Sequence, residues 1–548
     1  MRKTLPILLA LALGRVSVAE APAADAAAAL APADTFLLMR LPSLERMDAL
    51  GNEFKSVWLS LVPKGERDAL KDTPISTLLL GEMGVPAGAP VVRNRPLYLA
   101  FGELHDDPIF FLPAEAGKEF AECDARHRAV ARLREGFLCV GRKDHLDAPA
   151  RGKPATLLAG DVSAHFFISE LVARHKEELN KAFAGAQAEL PPLPAMFQPL
   201  AAALIGVARD ATFGVDTAGY ALTWTGERLE SEGLITSLEG SRVAAFLSRV
   251  APAEANDLAA FLPKNALFVG DSSGTANWFS TEIGKLVGST LGEGAGEVIG
   301  QLLGGAVLPP DMLTGRTASS MSLEGMAASG VGLVELKDGA KAKEALKAFD
   351  PTKANETFKK LQIPVSIVFE PSVATHGETE IHRLRIQLDD PQMAMMAQFM
   401  PQSYFAIEGS MMVLSQSALG DAELKAMIDL VRAGTKAADH PHIAAMNRLG
   451  RKRHIGLTIN VGIVKQFAFF LAMQSPEAFR AVSAIPDTML MSTAIVMEGG
   501  ALHWRGDWPL KEIGQIIQTV AAGEESADEG EETEEGPTTP GDDEEEVR

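Results

Sequence analysis

The sequence predicts an α+β protein built as two tandem, diverged copies of one antiparallel sheet packed with helices. Three observations predict it. Short apolar strands are paired across tight turns, helix-spaced apolar runs follow them, and the same order of elements occurs twice in 548 residues. Hairpins and two-residue turns demand antiparallel pairing, and amphipathic helices covering one face complete the layers. The order lacks the strict strand–helix alternation of a doubly wound parallel sheet.

The duplication rests on anchors that recur in order. The first is a proline, an Asx residue, a strand and a helix. Pro32-Ala-Asp-Thr-Phe-Leu-Leu-Met leads into Leu44, Met47, Leu50, Phe54 and Trp58, and Pro263-Lys-Asn-Ala-Leu-Phe-Val leads into Trp278, Phe279, Ile283, Leu286 and Val287. The second is a hairpin running into a helix. Pro96–Phe101 and Pro108–Leu112 turn at His105-Asp106-Asp107 before a helix from Glu115; Met321–Met326 and Val331–Leu336 turn at Ser329-Gly330 before a helix over Ala340–Phe349. Glu135-Gly136, Val140 and Leu146 match Glu408-Gly409, Val413 and Leu419 at a spacing of 273, as Gly226, Leu229 and Gly233 match Gly499, Leu502 and Gly506. An Asx-Val helix entry recurs as Asp161-Val162 and Asn460-Val461. Copy one is expected over 32–253 and copy two over 254–522. An insertion near 351–400 carries an extra strand pair at Pro364–Phe369 and Glu380–Leu388.

The termini read differently. Arg2 and Lys3 precede the apolar run Leu5–Leu13, which is too short to span a bilayer, and small residues follow at Ser17, Ala19 and Ala21. Residues 1–21 are therefore expected to be a Sec-type signal peptide, the alternative being a retained anchor, and 22–31 an Ala/Pro-rich flexible leader. No cysteine lies nearby for lipid attachment, so the mature chain is expected in the periplasm or outside the cell. No later window offers a membrane helix; Leu457–Met473 is interrupted by Lys465 and Gln466. Residues 523–548 hold thirteen acidic residues and one Arg, with the composition of a disordered tail. They carry more than half of the net charge of −21. The remainder is mildly acidic, which disfavours nucleic acid as a partner.

The opening APADTFLLMRLPSLERM, just after a signal peptide, resembles a family of uncharacterised secreted bacterial proteins with a Pro-Ala-Asp-Thr strand–helix opening. The resemblance covers the first anchor and implies paired α+β domains. That family has no assigned activity or site residues, so it implies no chemistry.

Several motifs invite a chemical reading. Gly270-Asp271-Ser272-Ser273-Gly274 has the G-x-S-x-G form of a nucleophile elbow, with His376, His382, His440, His442, His454 and His503 downstream as candidate bases. It lacks an upstream oxyanion segment and a parallel sheet, and helix starts favour the same residue types. Met393, Met395, Met396, Met400, Met411 and Met412 suggest a soft-metal site, yet no His or Cys is interleaved and methionine commonly fills cores. His376-Gly-Glu378-Thr-Glu380-Ile-His382, read as one extended strand, puts four ligand-type side chains on one face, as solvated strands also do. His440-Pro-His442 reads as a helix entry, Arg451-Lys452-Arg453 as a strand entry, and Asp106-Asp107 and Asp389-Asp390 as turn residues. The glycine-rich Gly288–Gly305 contains no phosphate-binding motif. Cys123 and Cys139 are equally compatible with a disulfide and with two buried thiols.

No catalytic, cofactor-binding or metal residue is thus assigned. The sequence points to an exported, non-enzymatic binding or envelope-associated protein, with an apolar ligand or another envelope protein lodged between the copies. A serine hydrolase using Ser272 and a chaperone-like scaffold for exported clients are the alternatives.

Overall fold

The computed structural model describes residues 21–53, 71–102, 107–125, 129–152, 157–188, 197–225, 227–275, 308–324, 327–360, 365–388, 402–417, 420–437, 439–467 and 482–516, with isolated positions between them. The expected signal segment before Ala21, the acidic tail, Gly288–Gly305 and Met393–Met400 lie outside these residues, as does most of the copy-two helix around Trp278–Val287.

The first half contains β1 (Thr35–Ser43), β2 (Pro96–Gly102), β3 (Ile109–Pro113), β4 (Cys123–Asp124), β5 (Ala129–Arg134), β6 (Phe137–Arg142), β7 (Val162–Phe166), β8 (Val215–Trp224) and β9 (Arg228–Ser237). The second contains β10 (Phe268–Ser272), β11 (Leu313–Glu324), β12 (Ala327–Leu336), β13 (Val365–His376), β14 (Thr379–Leu388), β15 (Gln402–Glu408), β16 (Met411–Ser417), β17 (Ile455–Asn460), β18 (Leu490–Glu498) and β19 (Ala501–Pro509). All described pairings are antiparallel and make one sheet. From β9 outward the first half runs β8, β7, β1, β2, β3, β6, β5, β4. From β19 outward the second runs β18, β17, β10, β11, β12, β16, β15, β14, and then the additional β13. The order of connections is the same in both directions, and β9 and β19 join the halves edge to edge.

This seam pairs Arg228–Thr236 with Ala501–Pro509, and its central pair is Glu232 opposite Arg505, 273 residues apart. Gly233 lies opposite Trp504, and Gly506 opposite Ser231. A Cβ on Gly233 would come within 2.3 Å of the Trp504 ring, and one on Gly506 within 2.4 Å of Ser231 Oγ. Both glycines are therefore required for close packing at the seam. The expectation of a groove between two domains gives way to a continuous ladder.

Side chains alternate across the ladder, so register decides which face each residue joins. On what we call the front face, Leu41, Leu97, Leu99, Leu112 and Val140 pack beneath α2 (Leu44–Glu53) and α3 (Ile75–Met83). On the back face, Leu38, Tyr98, Phe111 and Cys139 pack beneath α1 (Ala21–Leu30). Helices thus cover both faces, where one was expected. The predicted flexible leader is α1 itself. Ala27, Ala28 and Ala31 are at most 1% exposed, and the chain is tied down by Arg151 N–H to Ala31 O and Gly152 N–H to Ala29 O. Small alanines let this helix approach the sheet closely, and its composition alone does not reveal that.

The second half is covered likewise. Helix α4 (Gly339–Lys347) begins at Asp338, whose carboxylate accepts from Ala340 and Lys341 N–H at 3.1 Å, and it packs Ala342 and Leu346 on the front face. Helix α5 (Thr352–Lys360) covers Ile367 and Leu384 with Phe358. On the back, α6 (Ala422–Ala433) buries Leu424, Met427 and Ile428 and ends at Gly434, φ +62°. Helix α7 (Pro441–Arg448) packs over β17 and β18.

The predicted strand pair at 364–369 and 380–388 is present as β13 and β14. Other expectations need correction. Residues from Glu115 to Glu122 are irregular, not helical. The β11–β12 ladder continues through Ser329 and Gly330 as far as Glu324 opposite Ala327, so Ser329-Gly330 is not the turn. The hairpin turns are Glu135-Gly136 and Gly409-Ser410, a spacing of 274, which sets Cys139, not Val140, at the place of Val413. Asp161 precedes β7 whereas Asn460 ends β17, so these two do not occupy equivalent ends.

The same register settles the cysteines. Cys123 stands opposite Ala131, which is opposite Val140, so Cys123 shares the front face while Cys139 points to the back. Both are free thiols, and burial pushes Cys139 up to about 12. Thiol titration of protein denatured without reductant is expected to count two thiols per chain, with Cys139 unreactive in the native state. A count of zero would contradict this register.

Candidate functional site

Ser272 is the last residue of β10, held between β11 and β17, opposite Thr317 and Ile455. Its Oγ hydrogen-bonds to Thr317 Oγ1 at 2.8 Å, and Asn256 Nδ2 donates to the carbonyls of both Ser272 and Thr317 at 2.8 Å. This is an antiparallel strand end, not the strained strand-to-helix turn that exposes a hydrolase nucleophile. Ser273 is fully buried; its Oγ donates to Arg453 O at 2.7 Å and accepts from Glu254 N–H at 3.0 Å.

Asp271 forms a buried two-point ion pair with Arg453, with Nε to Oδ1 at 2.8 Å and Nη2 to Oδ2 as the second contact. Arg453 is 1% exposed, and its Nη1 donates to Gly450 O and Asn447 Oδ1. Gly456, opposite Asp271, leaves the necessary room: a Cβ there would lie 2.3 Å from Arg453 Nε. The G-x-S-x-G segment and the basic Arg451–Arg453 run are therefore two sides of one structural lock. A buried charge tolerates this environment when it is paired and hydrogen-bonded.

Three of the candidate bases, His376, His382 and His454, are engaged elsewhere. His454 Nδ1 accepts from Met497 N–H at 2.9 Å and its Nε2 donates to Ala251 O at 2.7 Å. His376 meets Asp429 at 2.8 Å, and His382 Nδ1 accepts from Ser372 N–H at 3.2 Å. The hairpin turn at Gly377-Glu378 separates His376 from His382, so the predicted four-residue face does not form. Glu380 instead pairs with Lys347 at 3.0 Å. Met411 and Met412 belong to different core clusters, as adjacent strand residues must. Among the described residues no group of three or more His, Cys, Asp or Glu side chains could hold a metal ion, and no helix is long and apolar enough to cross a membrane.

What the sequence reading missed is the front face at the seam. The ladders align Gly233, Trp504, Ile495 and Ile455 in one row, and pair Leu229 with Trp508 and Met491 with Ile459 on the same face. Ile235, Ile455 and Ile459 remain 39%, 39% and 41% exposed. Tyr220 stacks on Trp504, ring centroids 5.3 Å apart. Trp504, Leu457, Met491, Ile495 and Phe268 are half-buried, making a contiguous apolar surface. The back face of the same strands is charged. Glu232 faces Arg505 at 3.4 Å, and Asp507 is clamped by Arg228 and, at 2.9 Å, by Arg448. Alternation in β9 and β19 is visible in the sequence, but exposure of the apolar side is not.

His440 and His442 are buried at 3% and 0% exposure, ring centroids 5.7 Å apart. His440 Nε2 donates to Leu262 O at 3.1 Å. Burial lowers both, and His442, also facing His440, falls to about 4. The unfolded chain takes up these protons near pH 6.5 while the native state refuses them, so stability falls as pH drops from about 6.5 toward 4. Burial of His442 accounts for about 3 kcal/mol of that loss. Urea unfolding of His442→Leu is expected to lose less stability between pH 7 and pH 4.5 than the parent, by about that amount. Equal losses would contradict the assignment.

No protein-family model matches the chain, and no curated protein matches it. Two solved structures align with part of it. One, "Structure of crystal form IV of TP0453", is 9% identical and covers 38% of this chain and 79% of that chain at a TM-score of 0.19. The other, "Structure of crystal form III of TP0453", is 10% identical and covers 44% and 90% at the same TM-score. A likeness at that score establishes neither a shared fold nor a shared function.

Proposed function

We propose that the chain is an exported, non-enzymatic binding or envelope-associated protein that holds an apolar ligand on the front face across the seam. The observation that carries this reading is the exposure of Ile235, Ile455 and Ile459 on one face of the central strands, around the Tyr220–Trp504 stack. Core-type side chains left in water at the centre of a molecule lose the burial free energy, about 25 cal/mol per Å², that a ligand restores. Export is supported by the N-terminal charge and apolar run. We further infer that the halves descend from one duplicated unit; the mirrored strand order and the central seam pair, 273 residues apart, support it.

Titration with the apolar dye 1-anilinonaphthalene-8-sulfonate tests the binding reading. The native protein is expected to bind it saturably near one equivalent, and Ile235→Asp/Ile459→Asp to bind at least about tenfold more weakly, roughly 1.4 kcal/mol. Suppression of client aggregation without saturable dye binding would favour a chaperone-like scaffold instead. Equal binding by the double variant would remove the front face from consideration.

A further inference from the structure

The two halves differ at one charged position of the back face. From the seam pair Glu232–Arg505, the cross-strand row reaches Ser163 and Arg40 in the first half and Gly456 and Asp271 in the second. In the second half the charge is answered internally, because Asp271 takes the Arg453 guanidinium on two points and Gly456 leaves it room. In the first half Arg40 stands at the place of Asp271, and Ser163 at the place of Gly456.

Arg40 has no such answer. Its Nε is buried without an acceptor, and no hydrogen bond or ion pair joins its side chain to the described residues. Ser163, directly opposite on the same face, is 0% exposed, and its Oγ is likewise unpartnered. Tyr98, fully buried, closes the other side of Arg40. Asp161, two residues before Ser163, accepts Trp224 N–H on Oδ2 at 2.8 Å. Arg40 is half-buried, and its Nε and the Ser163 Oγ beside it lose their hydration without replacement, which is costly.

We propose that Arg40 and Ser163 form a binding subsite for a carboxylate. The guanidinium fork takes both oxygens in one plane, as Arg453 takes those of Asp271, and the Ser163 hydroxyl donates to one of them. A planar, two-oxygen anion matches the fork, and the second half satisfies its guanidinium with that same group. The subsite lies on the back of the sheet, opposite the apolar front face, and does not depend on the ligand proposed there.

The test uses the full chain with Arg40→Met, which keeps the apolar stem, and Ser163→Ala. Thermal unfolding is followed against sodium acetate and sodium butyrate, with sodium chloride and inorganic phosphate at matched ionic strength. The parent is expected to show a saturable rise in unfolding temperature with the carboxylates and none with chloride. Ser163→Ala is expected to need about tenfold more carboxylate for the same rise. Arg40→Met is expected to abolish the rise and, without any probe, to unfold no lower than the parent, because it removes an unsatisfied donor. Four results would overturn the proposal. The parent gives no rise, Arg40→Met retains it, phosphate gives it where the carboxylates do not, or Arg40→Met unfolds lower without probe, which would reveal an internal partner.

Discussion

The antiparallel ladder between β9 and β19 is the constraint on which the rest of the structure depends. Without it, each half would end in an open row of backbone donors and acceptors, and an exposed edge of nine or ten residues is an invitation to aggregate. Pairing Arg228–Thr236 with Ala501–Pro509 satisfies both edges at once. It also fuses two sheets into a single surface with continuous front and back faces. Gly233 and Gly506 permit this closeness, and the Arg228–Asp507–Arg448 clamp pins the back of it.

From the seam follows the separation of chemistry between the faces. The front carries Trp504, Ile455, Ile459 and Ile235, and the back carries Glu232, Arg505 and Asp507. Most titratable groups on the back answer one another within the chain. Asp271 with Arg453 is the extreme case, both nearly inaccessible to water. The residues that look most like catalytic machinery in the sequence, Ser272, Ser273 and His454, serve as fasteners between β10, β11, β17, β18 and the linker before β10. Such polar fasteners in a core have the same composition as an active site, which is why composition alone misleads.

Much of the fold was legible, because strands and helices are written in local periodicity. The hairpin β2–β3, the strand pair β13 and β14 without its turn, the helix after Asp338 and the β9–β19 correspondence could be read from spacing and alternation. What was not legible depended on register and distance. A spacing of 273 in place of 274 at the β5–β6 turn exchanges Val140 for Cys139 and flips the face assigned to each. The Cys123–Cys139 alternative hung on that same parity. The Ala-rich stretch before Pro32 reads as a leader, since alanine signals neither burial nor exposure. The stretch from His376 to His382 reads as one strand only if Gly377-Glu378 is not recognised as a turn. Nothing in the sequence marks Arg40 as lacking a carboxylate, because its counterpart, Asp271, lies 231 residues away.

The central claim, that the halves are one cooperative sheet, is tested most directly by amide hydrogen exchange at the seam. The account predicts that the ladder amides of β9 and β19 exchange together, in the same slow class as those of β1 and β10, because opening the seam requires breaking the sheet they share. Fast exchange in β9 and β19 beside slow exchange in both flanking cores would contradict it, showing two separately folding sheets that only touch.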